Sequence, residues 1–404
     1  MTSIATEPVT HGSERLARLI AAIGEGALER ERTGERPFEA INLIREERLG
    51  ALRVPSVDGG GGASLRELFD VLIQLAAADV NVAHILRGHF AFVEGAVRAE
   101  GEQRRRNIDL ALSGAIVGNA STELTSARPG TYQYQTVLTR DGDGYRLNGT
   151  KYFTTGTLYA DYTEVEASDE DGGLVIALVP TDREGVQVID DWDGMGQRAT
   201  GSGTTIFTNV AVHADEVQRF PSPLNSDAEP MYRAGAMFQL YITALIAGVL
   251  HSLRDDAVAH VHQRARSFAW APDPIPADDP LLQREIGEIA SAAYAARATV
   301  LAAADAIQRA QDAAIAGNDL DFELAHQASL AAASAKVIVD KLGQKAASQV
   351  FDVGGASVAR QAHLLDRHWR NIRTLASHNP TSYKAQAIGA FYTRETRLPG
   401  SGYF

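Results

Sequence analysis

Residues 131–153 read TYQYQTVLTRDGDGYRLNGTKYF. Strand-forming residues recur at alternate positions, the period of a half-buried strand. Asp-Gly and Asn-Gly punctuate them, and those dipeptides suit the positive backbone φ of tight hairpin turns. Downstream, GLVIALVP (173–180), GVQVI (185–189) and GTTIFTNVAV (203–212) repeat the texture. The stretch predicts a small antiparallel β-domain over residues 111–217.

The flanks read as helix. Leu16, Leu19, Ile20 and Ile23 fall at i, i+3, i+4 and i+7, one face of an amphipathic helix. Ser64 with Glu67 forms a capping box ahead of LFDVLIQLAAA. The glycine run Gly59–Gly62 lacks a following Walker lysine and reads as a helix connector. These features predict an N-terminal helical domain over residues 1–110. From residue 218 to 404, long alanine-rich segments at 286–314 and 325–351 predict a helical bundle, broken by the proline-rich loop RSFAWAPDPIPADDP (266–280). Helices, then strands, then helices, without βαβ alternation, exclude a Rossmann sheet.

Composition narrows the function. The 404-residue chain is 45% hydrophobic and carries a formal net charge of −13, which argues against a protein that coats nucleic acid or reads anionic lipid. It has no cysteine, so disulfides, thiolate metal sites and a cysteine nucleophile are excluded. The N-terminus lacks a basic segment followed by an apolar run, which predicts a cytoplasmic protein. Gln239, Tyr241, Thr243 and His251 interrupt the most apolar window, residues 234–253, so it predicts a buried helix rather than a membrane span.

Three motifs do not hold. GMGQRA (194–199) matches the letters of a dinucleotide fingerprint but lies between β-segments, not at a strand-to-helix turn. His260 and His262 point about 200° apart on a helix and have no adjacent carboxylate, so no metal site is predicted. There is no G-x-S-x-G elbow.

GNASTE (118–123), NGTKYFTTG (148–156), DWDGMGQRATGSGTTIFTNVAV (191–212) and RHWRNIRTLASHNPTSYK (367–384) occur in this order within the α–β–α layout. Together they resemble the acyl-CoA dehydrogenase superfamily, and within it the reduced-flavin-dependent monooxygenases typified by those of dibenzothiophene. The resemblance implies an α+β, mainly α fold: N-terminal helical domain, middle antiparallel β-domain and C-terminal four-helix bundle. A flavin would lie between the β-domain and the bundle, completed by a neighbouring subunit of a homotetramer. Many dehydrogenases of the family carry R-D-x-R…Y-E-G-T, the glutamate being the base. Here Arg370, Arg373 and Thr381 match, while His378, Asn379 and Pro380 stand opposite tyrosine, glutamate and glycine. An asparagine side chain cannot accept the proton at neutral pH.

The resemblance also assigns residues. His89 would face the reactive edge of the flavin; His84, about 140° around the helix, would be structural. Asn119 and Thr155 would contact the isoalloxazine ring, Phe153 and Trp192 would flank it or simply be core, and Ser121 and Ser202 would bind the cofactor. His378, whose type titrates near neutrality, would handle protons with His89. Arg266 would reach the phosphate of a flavin in the partner subunit. Ser357 stands where the family has an arginine, with Arg360 as a substitute. Arg367, Arg370 and Arg373 would hold neighbouring carboxylates or the flavin phosphate. Glu94 would face solvent or select a cationic substrate. The implied activity is a two-component monooxygenase: reduced FMN (FAD possible), supplied by a separate NAD(P)H:flavin reductase, reacts with O2 and oxygenates a small apolar or heteroaromatic substrate, organosulfur favoured, through a hydroperoxyflavin. An amine N-hydroxylase or an FAD-dependent acyl-CoA dehydrogenase are the alternatives.

Overall fold

The structure is a computed structural model and describes residues 7–124, 132–220, 229–318, 320–401 and 404. Seven helices come first: α1 (Glu14–Glu25), α2 (Ala27–Thr33), α3 (Phe38–Glu46), α4 (Leu65–Ala78), α5 (Val80–Ile85), α6 (Arg87–Arg98) and α7 (Gly101–Leu112). Their starts are set locally. Ser13 accepts from the Leu16 N–H, Ser64 and Glu67 form a reciprocal capping box, and Asp79 accepts from the N–H groups of Asn81 and Val82.

Eight strands follow: β1 (Val117–Ala120), β2 (Val137–Asp141), β3 (Gly144–Lys151), β4 (Tyr162–Asp169), β5 (Leu174–Pro180), β6 (Val186–Ile189), β7 (Thr204–Val212) and β8 (Val217–Arg219). They form one sheet in the order β6-β7-β3-β2-β4-β5-β8, with β1 beside β4. The sheet is mainly antiparallel, as expected, with two parallel pairings. β1 and β2 both run parallel to β4, because β4 is reached from β3 through residues 152–161 and not by a hairpin from either strand. Alternate inward residues such as Leu138, Leu147, Val165, Ala177 and Phe207 make a core belonging to the β-domain.

The C-terminal helices are α8 (Glu229–Gln263), α9 (Pro280–Ile315), α10 (Asp321–Gln349), α11 (Asp366–Ala376) and α12 (Thr381–Arg394). α8, α9 and α10 pack on one another, and α11 and α12 close the remaining side of α10. Among the described residues one helix is long and apolar enough to cross a membrane, and 83% of its apolar window is buried inside the protein. The largest apolar cluster joins this bundle to the N-terminal helices, through residues such as Phe69, Leu72, Leu245 and Val300. Polar ties reinforce the joint: the Tyr241 hydroxyl donates to the Ala83 carbonyl at 2.7 Å, and Glu94 on α6 accepts from Arg53 at 2.6 Å and from Gln311 of α9 at 2.8 Å. The two helical regions therefore present one surface against which the sheet leans.

Candidate active site

α11 ends at Ala376 and α12 starts at Thr381, leaving His378 and Asn379 on a short turn. Leu375 O accepts from the His378 backbone N–H at 3.1 Å, which fixes the turn. Arg87, the first residue of α6, reaches across and its Nη1 lies 3.2 Å from His378 Nε2. A guanidinium only donates, so Nε2 accepts and the imidazole proton resides on Nδ1. His378 is open to solvent by surface area yet crowded by Arg87, His84, Lys336 and Lys384. Arg87 and His378 thus meet at a cleft between the start of α6 and the α11–α12 turn. Desolvation first, and then these positive neighbours, hold its pKa well below the ordinary histidine value. It is a neutral imidazole across the physiological range.

The second part of the site is a relay on the loop between β6 and β7. Asn371 Oδ1 accepts from the Gln197 backbone N–H at 2.7 Å and from Gln197 Nε2 at 3.0 Å. This orients the Gln197 amide, so its Oε1 faces His84 Nδ1 at 2.9 Å as an acceptor. Burial, together with Arg87, pushes His84 down to about 3, so it too is neutral, with its proton on Nδ1. Gln197 O accepts from Trp192 Nε1 at 2.9 Å and from Thr200 Oγ1 at 2.8 Å. Thr200 is 2.7 Å from Ser202 Oγ, which is 2.7 Å from Thr155 Oγ1. One hydrogen-bonded series thus runs from α5 through the loop to Thr155. Gln197 and Phe153 both adopt positive φ, 55° in each case, a backbone strain that marks sites over-determined by their surroundings.

Phe153 projects its ring into the open, 48% exposed, and meets Trp192 edge-on at 6.0 Å and 89°. An aromatic shelf left bare beside a line of hydroxyls is not the default core packing of such rings. Asn119 lies on β1 against α6: a Cβ at Gly88 would come within 3.2 Å of the Asn119 Cβ, so the two elements pack tightly there. Ser121 follows at the end of β1, its carbonyl accepting from the buried Lys151. Two concavities flank residues 192–198, one of about 740 Å³ lined by Arg32, Met195, Arg198 and Arg370, the other of about 300 Å³ lined by Arg36, Trp192 and Arg198.

Several sequence-based expectations fall elsewhere. His89 does not face this cleft. It is fully buried, its Nδ1 accepts from the Val117 N–H at 3.2 Å, and its Nε2 points at Gly50 without a hydrogen bond of ordinary geometry. Arg87 and His89 are two residues apart, hence about 200° apart on the helix, and Arg87 takes the cleft side. Burial pushes His89 down to about 4. His84 is the histidine that shares the cleft with His378. Glu94 neither faces solvent nor is free to select a cationic substrate; it is consumed by Arg53 and Gln311. Arg367 pairs with Asp256, and Arg370 with Glu31 and Asp366, so these arginines tie helices together. Arg373 makes only a 3.4 Å contact with Gln344. Arg266 is exposed on the loop after α8, and Ser357 and Arg360 are exposed near the 356–359 turn; none of the three meets His378 or Thr155 within the chain. Arg87, Gln197 and Asn371 are the members that sequence reading missed. Gln197 was visible only as a letter in a failed dinucleotide motif, since its signal is a tertiary hydrogen bond.

Comparison with known proteins supplies independent findings. Residues 119–210 match the family model of the acyl-CoA dehydrogenase middle domain, and residues 240–383 that of the acyl-CoA dehydrogenase C-terminal domain. Dibenzothiophene monooxygenase of Mycolicibacterium goodii is 31% identical over 93% of this chain and 92% of its own length. A probable FMNH2-dependent monooxygenase, SfnC of Pseudomonas putida, is 28% identical over 96% of each. Among solved structures, the complex of TdsC from Paenibacillus sp. A11-2 with FMN and indole superposes with a TM-score of 0.86 at 28% identity, covering 97% of this chain and 99% of TdsC.

Proposed function

We propose that this chain, which belongs to the acyl-CoA dehydrogenase superfamily and within it to the FMN-dependent monooxygenases, is one half of a two-component system. A separate NAD(P)H-dependent reductase supplies the reduced flavin, and the substrate is a small organosulfur or heteroaromatic compound. One atom of O2 goes to that substrate and the other leaves as water.

The residues present fit a flavin. A bare aromatic shelf (Phe153, Trp192) adjoins a row of hydroxyls (Thr155, Ser202), with the amide of Asn119 and Ser121 on the neighbouring strand. When bound, reduced FMN supplies activation of oxygen, the part of the chemistry that side chains cannot do. The protein's share is placement. Thr155 and Ser202 can turn their hydroxyls toward a ring nitrogen or carbonyl, Asn119 can add an amide, and the apolar shelf excludes water. His378 offers Nδ1–H to an oxygen in the cleft while Arg87 occupies its other nitrogen, so it can donate a hydrogen bond without carrying charge. That imidazole, held by Arg87 and near His84 at the head of the hydrogen-bonded series to Thr155, is the observation that carries the reading.

A dehydrogenase reading lacks its base at the expected position. Asn379, opposite the expected glutamate, donates to Gln239 Oε1 at 2.6 Å. We also propose a cytoplasmic homotetramer. Phe268 (70%), Trp270 (83%) and Tyr294 (76%) are strongly exposed on and beside the loop that carries Arg266, a surface suited to a second copy. In that assembly Arg266 would reach the phosphate of the neighbouring flavin. The test is turnover with a flavin reductase, NADH and 18O2 against dibenzothiophene, simple thioethers and indole. Incorporation of a single labelled atom supports the proposal. Bleaching of bound FAD by an acyl-CoA, with no labelled product, overturns it.

A further inference from the structure

The cleft has a wall that the proposed chemistry does not use. β1 runs parallel to β4, with Asn119 paired to Glu164. Paired residues of adjacent strands put their side chains on the same face of a sheet. On β4, Thr163, Val165 and Ala167 are buried, the latter two within the β-domain core, so Glu164 and Glu166 take the other face. That face looks at α6. Asn119 abuts Gly88, one residue from the Arg87 that holds His378, and Tyr162 and Leu178 pack against a cluster containing Phe92. Glu164 therefore sits on the sheet wall of the same cleft, between Asn119 and Leu178.

Other carboxylates in this part of the molecule are engaged. Glu166 accepts from the Tyr134 hydroxyl. Glu123 takes Lys151 and two backbone N–H groups. Asp161 takes Arg45 and the Ile116 N–H, and Asp191 takes Thr204 twice. Glu164 is partly buried and makes no hydrogen bond or ion pair among the described residues. Burial, with the like charge of Glu166 on the same face, raises it to about 7. A carboxyl set in such a place without a protein partner is free to take one that a ligand provides.

We infer that Glu164 is a specificity-determining residue that selects, among the sulfur and heteroaromatic substrates proposed above, those presenting an N–H or O–H donor. This rests on the cleft being the substrate site of that reading. An acceptor that accompanies a donor-bearing ligand into the cleft gains a charge-assisted bond, whereas an isostere lacking the donor leaves the carboxyl as it stands.

Indole and benzothiophene form the decisive pair, since they share a shape and differ in N–H against S. Calorimetry on the FMN-loaded protein should give indole at least about tenfold tighter than benzothiophene. In Glu164→Leu the ratio should collapse toward one through loss of indole affinity. Glu164→Gln, whose amide oxygen still accepts, should retain part of it and, by binding FMN normally, show that position 164 tolerates change. Equal affinities in the unaltered protein, or a ratio that survives Glu164→Leu, overturns the role of Glu164 while leaving the monooxygenase reading intact. Failure of the FMN-loaded protein to bind either compound overturns the substrate reading and this inference with it.

Discussion

At the scale of single residues, the proposed chemistry hangs on the charge of one ring. His378 stays neutral because it is desolvated among Arg87, Lys336, Lys384 and the second histidine His84. Replacing Arg87 by Met removes the nearest of these cations and the donor that fixes the tautomer. The His378 pKa should then rise toward its ordinary value, while Arg87→Lys should largely preserve the depressed one; 15N chemical shifts of the imidazole across pH 4–8 would report this directly. An unmoved titration in Arg87→Met would show that desolvation alone controls the ring. His378→Asn, which keeps polarity but cannot shuttle a proton, should lower oxygenated product per reduced FMN consumed by about 100-fold, with the missing oxygen recovered as hydrogen peroxide. Unchanged coupling would remove His378 from the mechanism.

At the scale of elements, the loop between β6 and β7 is held by Gln197. Gln197→Leu keeps its volume but strands His84 Nδ1–H in a buried setting and takes from Asn371 Oδ1 one of its two donors, the backbone N–H of residue 197 remaining. Each lost partner costs about 1–3 kcal/mol, so a fall in melting temperature of several degrees is expected; a melt within a degree of the parent would deny the relay. Glu94 shows the same logic between domains. Glu94→Gln leaves the Arg53 guanidinium, only 10% exposed, without its carboxylate and should destabilise by roughly 3–5 kcal/mol in urea titration. Elements of this kind were legible where a local rule sets them. The Ser64–Glu67 box, the Leu16–Ile23 face and the Asp-Gly and Asn-Gly turns each carry their own geometry in adjacent residues. The parallel pairing of β1 with β4 was not legible, because residues 117–120 and 162–165 meet only through the tertiary fold. The site divides likewise. His378, Thr155, Ser202, Phe153 and Trp192 stand in readable motifs, but choosing between His84 and His89 required knowing which face of α5 and α6 turns to the cleft.

At the scale of the whole molecule, an acidic chain concentrates arginines at 367–373 because α11 must be fastened to elements remote in sequence. Arg367 and His368 both meet Asp256 of α8, and Arg370 meets Glu31 of α2. His368 belongs to a set of buried imidazoles that governs acid stability. Burial is the leading cause in each case and lowers His84 to about 3, His89 to about 4 and His368 to about 4. An unfolded histidine titrates near 6.5. Between those values the unfolded chain binds protons that the folded chain refuses, so stability rises with pH there and is lost as pH falls from about 6.5 toward 4. Each of the three contributes a slope of roughly 1.4 kcal/mol per pH unit within its window. The melting temperature should therefore hold from pH 8 to 7 and decline steeply from pH 6 to 5, above the range in which ordinary carboxylates titrate. His368→Asn can keep a donor toward Asp256 yet does not titrate, so it should make that decline measurably shallower, whatever its effect at neutral pH. Parallel declines in the variant and the parent would show that His368 takes up its proton without unfolding, and would return acid lability to the carboxylates.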